Sequence, residues 1–155
     1  MPTAQLRKVL TLIVRIDKAR LLGPCRDGLR SNNTILGGEF HGHDLRGEVL
    51  PGGADFFVER GDGLAHLSTR YSLLTDDGTL INLLNDGLLV LDATGQALLQ
   101  EGCWPLPPQH YRCRCSPRFQ VPRGRYEWLE QDLFIGHIEY LEADDLLINV
   151  YALDG

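Results

Sequence analysis

The chain has 155 residues, 43% of them hydrophobic and 23% charged, with a formal net charge of −6 at pH 7. A chain of this length buries roughly 70% of the surface its unfolded form exposes, so it needs no disulfide or metal staple, and wholesale disorder is not expected. The acidic balance argues against nucleic acid, whose phosphate backbone an acidic protein repels unless it carries a local basic patch; the one basic cluster, Arg112, Arg114, Arg118, Arg123 and Arg125, is broken by Pro117 and Pro122.

Leu6 to Lys18 alternates, with Leu6, Leu10, Leu12, Val14 and Ile16 on one face, and reads as a half-buried strand. Leu22 to Asn33, rich in Gly, Asn and Arg, reads as a long loop. Thr34 to Phe40 and Asp44 to Leu50 are short strands joined at His41-Gly42-His43. Pro51-Gly52-Gly53 is a turn, Ala54 to Arg60 a strand, Gly61-Asp62-Gly63 a second turn, and Leu64 to Thr75 a long strand. Asp77-Gly78 is the dipeptide of a two-residue hairpin turn, because both residues tolerate positive φ. Thr79 to Asn85 returns, Asp86-Gly87 turns, and Leu88 to Leu91 follows. Thr94 to Pro108 reads as a loop holding a short helical turn. Gln109 to Ser116 is a strand and Tyr126 to Gln131 one helical turn. Leu133 to Tyr140 and Leu146 to Leu153 form a closing hairpin around Ala143-Asp144.

Eight to ten short antiparallel strands joined by Gly/Asp turns predict an all-β fold, a single closed antiparallel barrel over residues 1–155, lipocalin-like or calycin-like in general shape. A sandwich needs longer crossovers. Hairpin arithmetic then orients the strands. A two-residue Asp77-Gly78 loop sets Thr75 opposite Leu80, Leu73 opposite Asn82 and Tyr71 opposite Leu84. A three-residue Gly61–Gly63 loop sets Phe57 opposite Leu67 and Asp55 opposite Thr69. One face collects Phe57, Ala65, Leu67, Tyr71, Leu73, Leu80 and Leu84, so it points inward. The same face carries Asp55, Thr69 and Asn82. Polar groups inside an apolar lumen persist when they pair with one another or with a ligand, and both readings stand at this point. A single bulge would turn Arg70 and Asn85 inward instead.

The run Leu45-Arg46-Gly47-Glu48-Val49-Leu50-Pro51-Gly52-Gly53-Ala54-Asp55 resembles the signature of domain-of-unknown-function family 3237. Gly37-Gly38 and Phe40 precede it suitably. The likeness continues through Arg60, Asp62-Gly63, Arg70-Tyr71, Thr75 to Gly78 and Ile81. It returns at Tyr111, Arg114, Pro117-Arg118-Phe119, Tyr126, Trp128-Leu129, Phe134 and Gly136. The resemblance implies a small closed β-barrel related to ligand-holding barrels, with no settled common activity. Three positions depart from the family pattern: Asn82 stands where Tyr is usual, Phe119-Gln120 where Phe-Glu is, and Arg112-Cys113 where a Tyr-Phe pair is.

Other chemistry is weaker. His41-x-His43 has no evident third metal ligand, and Cys113-x-Cys115 lacks zinc-knuckle spacing. Its bland reading is a strand whose Tyr111, Cys113 and Cys115 pack inward. No phosphate cradle or nucleophile elbow appears. No metal or cofactor is therefore expected. The expected activity is acid/base catalysis by Asp55 and Tyr71, with Thr69, Asn82, Tyr111 and Trp128 as ligand contacts. Arg70 and Arg114, on outward faces, are second-rank contacts. The partner is a small apolar or aromatic metabolite. The alternatives are a non-catalytic binding barrel and a dimerising module that pairs through the barrel surface or strand edges. No membrane-length apolar stretch or signal segment is seen, so a cytoplasmic protein with reduced cysteines is expected.

Overall fold

The computed structural model describes residues 3–142 and 144–154. Ten strands form one antiparallel sheet: β1 (Gln5–Ile16), β2 (Arg20–Cys25), β3 (Gly28–Gly42), β4 (Arg46–Val49), β5 (Ala54–Glu59), β6 (Leu64–Thr75), β7 (Leu80–Leu91), β8 (Tyr111–Gln120), β9 (Phe134–Tyr140) and β10 (Asp145–Asp154). The order runs β1-β10-β9-β8-β7-β6-β4-β3, and β3 pairs back onto β1. That closes a barrel of eight staves, because β4 and β5 share one stave between β3 and β6. Closure leaves the ring itself without the free edges that would otherwise template aggregation. The short β2 extends the β3 end outside the ring.

Side-chain alternation fills the interior. Leu10, Leu12 and Val14 of β1, Ile148 and Val150 of β10, Leu73 of β6 and Ile81, Leu83 and Leu89 of β7 are all buried, each contributing about 1.5–3 kcal/mol by leaving water. The β1–β3 seam closes tightly at Gly38, where a Cβ would meet the Ile13 carbonyl oxygen at 2.0 Å. An α-helix, α1 (Ala93–Gln100), is capped by Asp92, whose carboxylate accepts the Gly95 N–H at 2.7 Å. Its Leu98 and Leu99 pack on the core. Among the described residues no helix is long and apolar enough to cross a membrane.

The structure departs from sequence reading at four places. Leu22 to Asn33 is a hairpin of β2 and β3 rather than a loop. It is mostly exposed on both faces, so it carries no apolar alternation to read. Asp86-Gly87 is no turn: β7 runs straight through it, and Gly87 lies between Leu67 and Cys115. A Cβ there would stand 2.8 Å from the Arg114 carbonyl oxygen, so the glycine marks a close backbone approach. Leu6 is exposed because a bulge between Lys8 and Leu10 inserts the buried Val9. The fourth departure bears on the site. The hairpin after β6 has a three-residue loop, Asp76-Asp77-Gly78, closed by Thr75 N–H to Thr79 O at 3.0 Å. Gly78 sits at φ +84°, the left-handed residue this loop requires. The Thr75 hydroxyl bonds Asp77 and accepts the Thr79 N–H, which locks the turn. The register therefore sets Ser72 opposite Asn82 and Leu74 opposite Leu80, one residue off the two-residue expectation.

The Gly61–Gly63 hairpin keeps its expected register, with Asp55 opposite Thr69. The segment after Tyr126 is the expected single turn, a 3₁₀ helix over Glu127–Glu130. The β9–β10 hairpin forms with Leu146 opposite Tyr140. Ala143, which was placed at its tip, lies outside the described residues.

Candidate functional site

One row of side chains crosses four neighbouring strands. Asn33 on β3 lies opposite Asp55 on β5, Asp55 opposite Thr69 on β6, and Thr69 opposite Asn85 on β7. Directly opposed residues share a face, and three steps of about 4.8 Å make a polar belt roughly 14 Å wide on the barrel wall. Asp55 and Asn85 are buried, Asn33 and Thr69 half-buried. Tyr71, two residues beyond Thr69, is on the same face and buried. On the other flank Cys115, opposite Gly87, is hydrogen-bonded by the Asn85 side chain. β1 and β10 offer only apolar side chains to the interior at Leu10, Leu12, Val14, Ile148 and Val150. The lumen thus has one polar wall and one apolar wall.

The carboxylate of Asp55 accepts the Ser68 backbone N–H at 3.0 Å. That bond and one from Thr69 favour the charged form, but burial outweighs them and raises the Asp55 pKa to about 6. Burial is the largest cause because a carboxylate loses its water without gaining a counter-charge. Burial likewise pushes the Tyr71 phenol well above its ordinary range, with Cys115 and Asp55 adding to the effect. The buried Cys113 and Cys115 thiols are raised to about 12 and about 11. Cys113 Sγ lies 3.7 Å from the Tyr140 hydroxyl. These thiols are inert by burial.

Three belt atoms are buried without a hydrogen-bond partner: Asn33 Oδ1, Tyr71 Oη and Asn85 Oδ1. Buried polar atoms are nearly always paired, and each orphan costs about 1–3 kcal/mol. Of the described residues, Asp145 at the start of β10 holds the other such atom. Three orphans around one carboxyl of raised pKa make a concentration of unmet hydrogen bonding in an apolar setting, as binding sites do. The arrangement sets a carboxyl of raised pKa and three unmet hydrogen-bonding atoms beside the packed apolar interior.

The residues expected to form the site divide between inside and outside. Asp55, Thr69 and Tyr71 come together inside. Asn82 does not. The one-residue register change turns it out, where it is exposed and bonds Ser72 Oγ at 2.9 Å and Gln120 Oε1 at 3.1 Å. Leu80 and Leu84 turn outward with it, and Ile81, Leu83 and Asn85 replace them inside. Arg70 and Arg114 are exposed on the outer face. Arg70 stays out despite the register change because β6 itself keeps its phase; the shift moves β7 alone. Tyr111 is half-buried, and its hydroxyl accepts the Tyr140 N–H at 2.9 Å. Trp128 is half-buried against Phe134, with ring centroids 6.3 Å apart. Cys113 and Cys115 pack inward, as the bland reading of that strand had it. His41 and His43 are exposed, and among the described residues no three His, Cys, Asp or Glu side chains are grouped to hold a metal.

Sequence reasoning passed over Asn33 and chose Asn82 over Asn85. The signal for Asn85 was the turn itself: Thr75 and Thr79 flanking Asp-Asp-Gly fit a three-residue loop as well as a two-residue one. Nothing local marked Asn33, which sits in a stretch without apolar alternation.

Comparison with known proteins agrees with this architecture. The chain is 35% identical over 152 residues to the UPF0311 protein RPA1785 of Rhodopseudomonas palustris, covering 98% of each. The crystal structure of that conserved protein of unknown function covers 99% of this chain and 100% of its own, with a TM-score of 0.90 and 34% identity. A β-barrel-like protein from Acinetobacter baumannii is 31% identical, covers 99% and 98% of the two chains, and has a TM-score of 0.85. An enzyme from Penicillium herquei shares the fold at 18% identity, with a TM-score of 0.73 and 99% and 98% of the two chains covered. The family model described as protein of unknown function (DUF3237) matches residues 4–153, and the chain belongs to that family.

Proposed function

We propose that the protein is a cofactor-independent acid/base enzyme of the isomerase, cyclase or lyase type, acting on a small, partly apolar molecule held in the barrel lumen. The observation that carries the reading is the belt: Asp55, with its pKa near 6, beside the unpartnered Tyr71 Oη and Asn85 Oδ1. A general acid/base works best when its pKa lies near the working pH. Asp55 takes a proton from one carbon or oxygen of the substrate and returns it at another. Tyr71 donates a hydrogen bond to the oxygen on which charge develops. Asn33 and Asn85 accept from the substrate's own donors. The apolar wall supplies binding and keeps water out. The same fold in Penicillium herquei carries an enzyme, so the scaffold is compatible with catalysis. This reading has the protein in the cytoplasm with a small metabolite as its partner.

A thermal-shift screen against phenols, enones, lactones and small apolar acids tests it. A ligand at a hundred times its dissociation constant adds about 2.7 kcal/mol of stability. Hits are then incubated with wild type and Asp55→Asn, and conversion is followed by mass spectrometry and NMR. Turnover lost in Asp55→Asn with binding retained supports the enzyme. Binding without conversion by either protein makes the barrel a carrier. No hit across the panel, together with a concentration-dependent dimer in solution, shifts the role to a structural module.

A further inference from the structure

The outer wall carries a second set of groups that the lumen chemistry does not use. A cleft of roughly 500 Å³ lies between the Leu50–Gly53 segment and the outer face of β6, β7 and β8, within the size range of small-molecule sites. Leu50, Pro51, Leu80 and Leu84 give it apolar surface, and Arg70, Asn82 and Gln120 give it polar groups. The backbone of Gly53 presses on β6 so closely that a Cβ would stand 2.0 Å from the Arg70 carbonyl oxygen. One side of the cleft is therefore set by main chain rather than by mobile side chains.

The hydrogen bonding on its floor has a direction. The Ser72 hydroxyl donates to Asn82 Oδ1, and Asn82 Nδ2 donates to Gln120 Oε1. Each amide oxygen thereby accepts one hydrogen bond and keeps a second lone pair, and the chain ends on the Gln120 NH₂, a donor. Arg70 adds a guanidinium that, like most arginines of this chain, meets no carboxylate among the described residues. Across Leu84 on the same outward row stands Arg118, also exposed. The side chains of this cleft offer donors and positive charge, with an apolar surface beside them, in a chain whose net charge is −6.

We infer that this outer cleft is a binding site for a small carboxylate with an apolar body, its charge held by Arg70 and the Gln120 NH₂ and its body lying on Pro51, Leu80 and Leu84. An arginine fork matches a carboxylate bidentately, which a neutral acceptor cannot reproduce. The site opens outward and shares Tyr71 with the barrel interior: Arg70 points out and the buried Tyr71 hydroxyl in.

The test is an NMR titration of the full chain with benzoate and with octanoate, each against its neutral amide, benzamide and octanamide. The expected result is half-saturation by at least one carboxylate below about 1 mM, at least tenfold weaker binding of its amide, and shifts confined to the amide signals of Gly52, Gly53, Arg70, Asn82 and Gln120. Arg70→Gln loses the carboxylate preference, and Arg70→Lys keeps part of it, since charge remains without the fork. Equal binding of acid and amide by wild type overturns the inference without recourse to any variant. So does carboxylate binding that Arg70→Gln leaves unchanged, or the absence of saturation by either acid at about 10 mM.

Discussion

Replacing Asp55 by Asn tests the electrostatics of the polar belt without needing a substrate. The buried carboxyl has a pKa near 6 in the folded chain, against about 3.9 for an unperturbed aspartate. In the folded state it binds its proton more tightly than in the unfolded state. The wild-type protein therefore loses stability as pH rises from about 4 through 6, and the loss is complete above roughly 7. Two pH units correspond to about 3 kcal/mol at 1.36 kcal/mol each. Asparagine keeps an Oδ1 to accept the Ser68 N–H and cannot ionise. Asp55→Asn should then match wild type at pH 4 and exceed it by up to about 3 kcal/mol at pH 8, or roughly 6–12 °C in Tm for a chain of this size. Urea unfolding followed by tryptophan fluorescence at pH 4, 5, 6, 7 and 8 measures the difference directly. A gap that does not grow with pH, or a variant that is less stable than wild type at pH 8, refutes the desolvated-carboxyl account. It would mean that the belt stabilises the charged form of Asp55.

Two further expectations follow from burial and pairing. Tyr71→Phe removes a hydroxyl that bonds nothing among the described residues, so stability should stay the same or rise by up to about 1 kcal/mol, whereas deleting a satisfied buried hydroxyl costs about that much; chemical denaturation decides, and a clear loss would show that the hydroxyl has a partner. Native protein should titrate two thiols rapidly with a thiol reagent, the exposed Cys25 and Cys103, and four only after unfolding, because Cys113 and Cys115 are buried and only the thiolate reacts; fast modification of all four would mean that the lumen opens.

The strand content, the closed all-β architecture and the family were legible from local signals: the alternation in β1, the Gly/Asp turns and the Arg-Gly-Glu-Val-Leu-Pro-Gly-Gly-Ala-Asp run each act within a dozen residues. Asp55, Thr69 and Tyr71 were placed correctly because the Gly61–Gly63 loop fixes their register by its length alone. Asn82 and Asn85 were interchanged because the Asp76-Asp77-Gly78 turn is compatible with two registers, and a slip of one residue reverses every side chain that follows. What chooses between them is tertiary. In the observed register Ile81 and Leu83 are buried and Leu80 and Leu84 face outward; the reverse would bury other leucines almost as well, so composition alone is indifferent. Asn33 joined the belt only because β3 passes from β1 and β4 to β2 and β5 along its length, a pairing that depends on strands distant in sequence. The outer cleft likewise exists only once the Leu50–Gly53 segment lies against the face of β6 and β7. A chain's periodicity says which residues leave water; which polar groups then meet inside depends on register, and register is decided by the packing of the whole barrel.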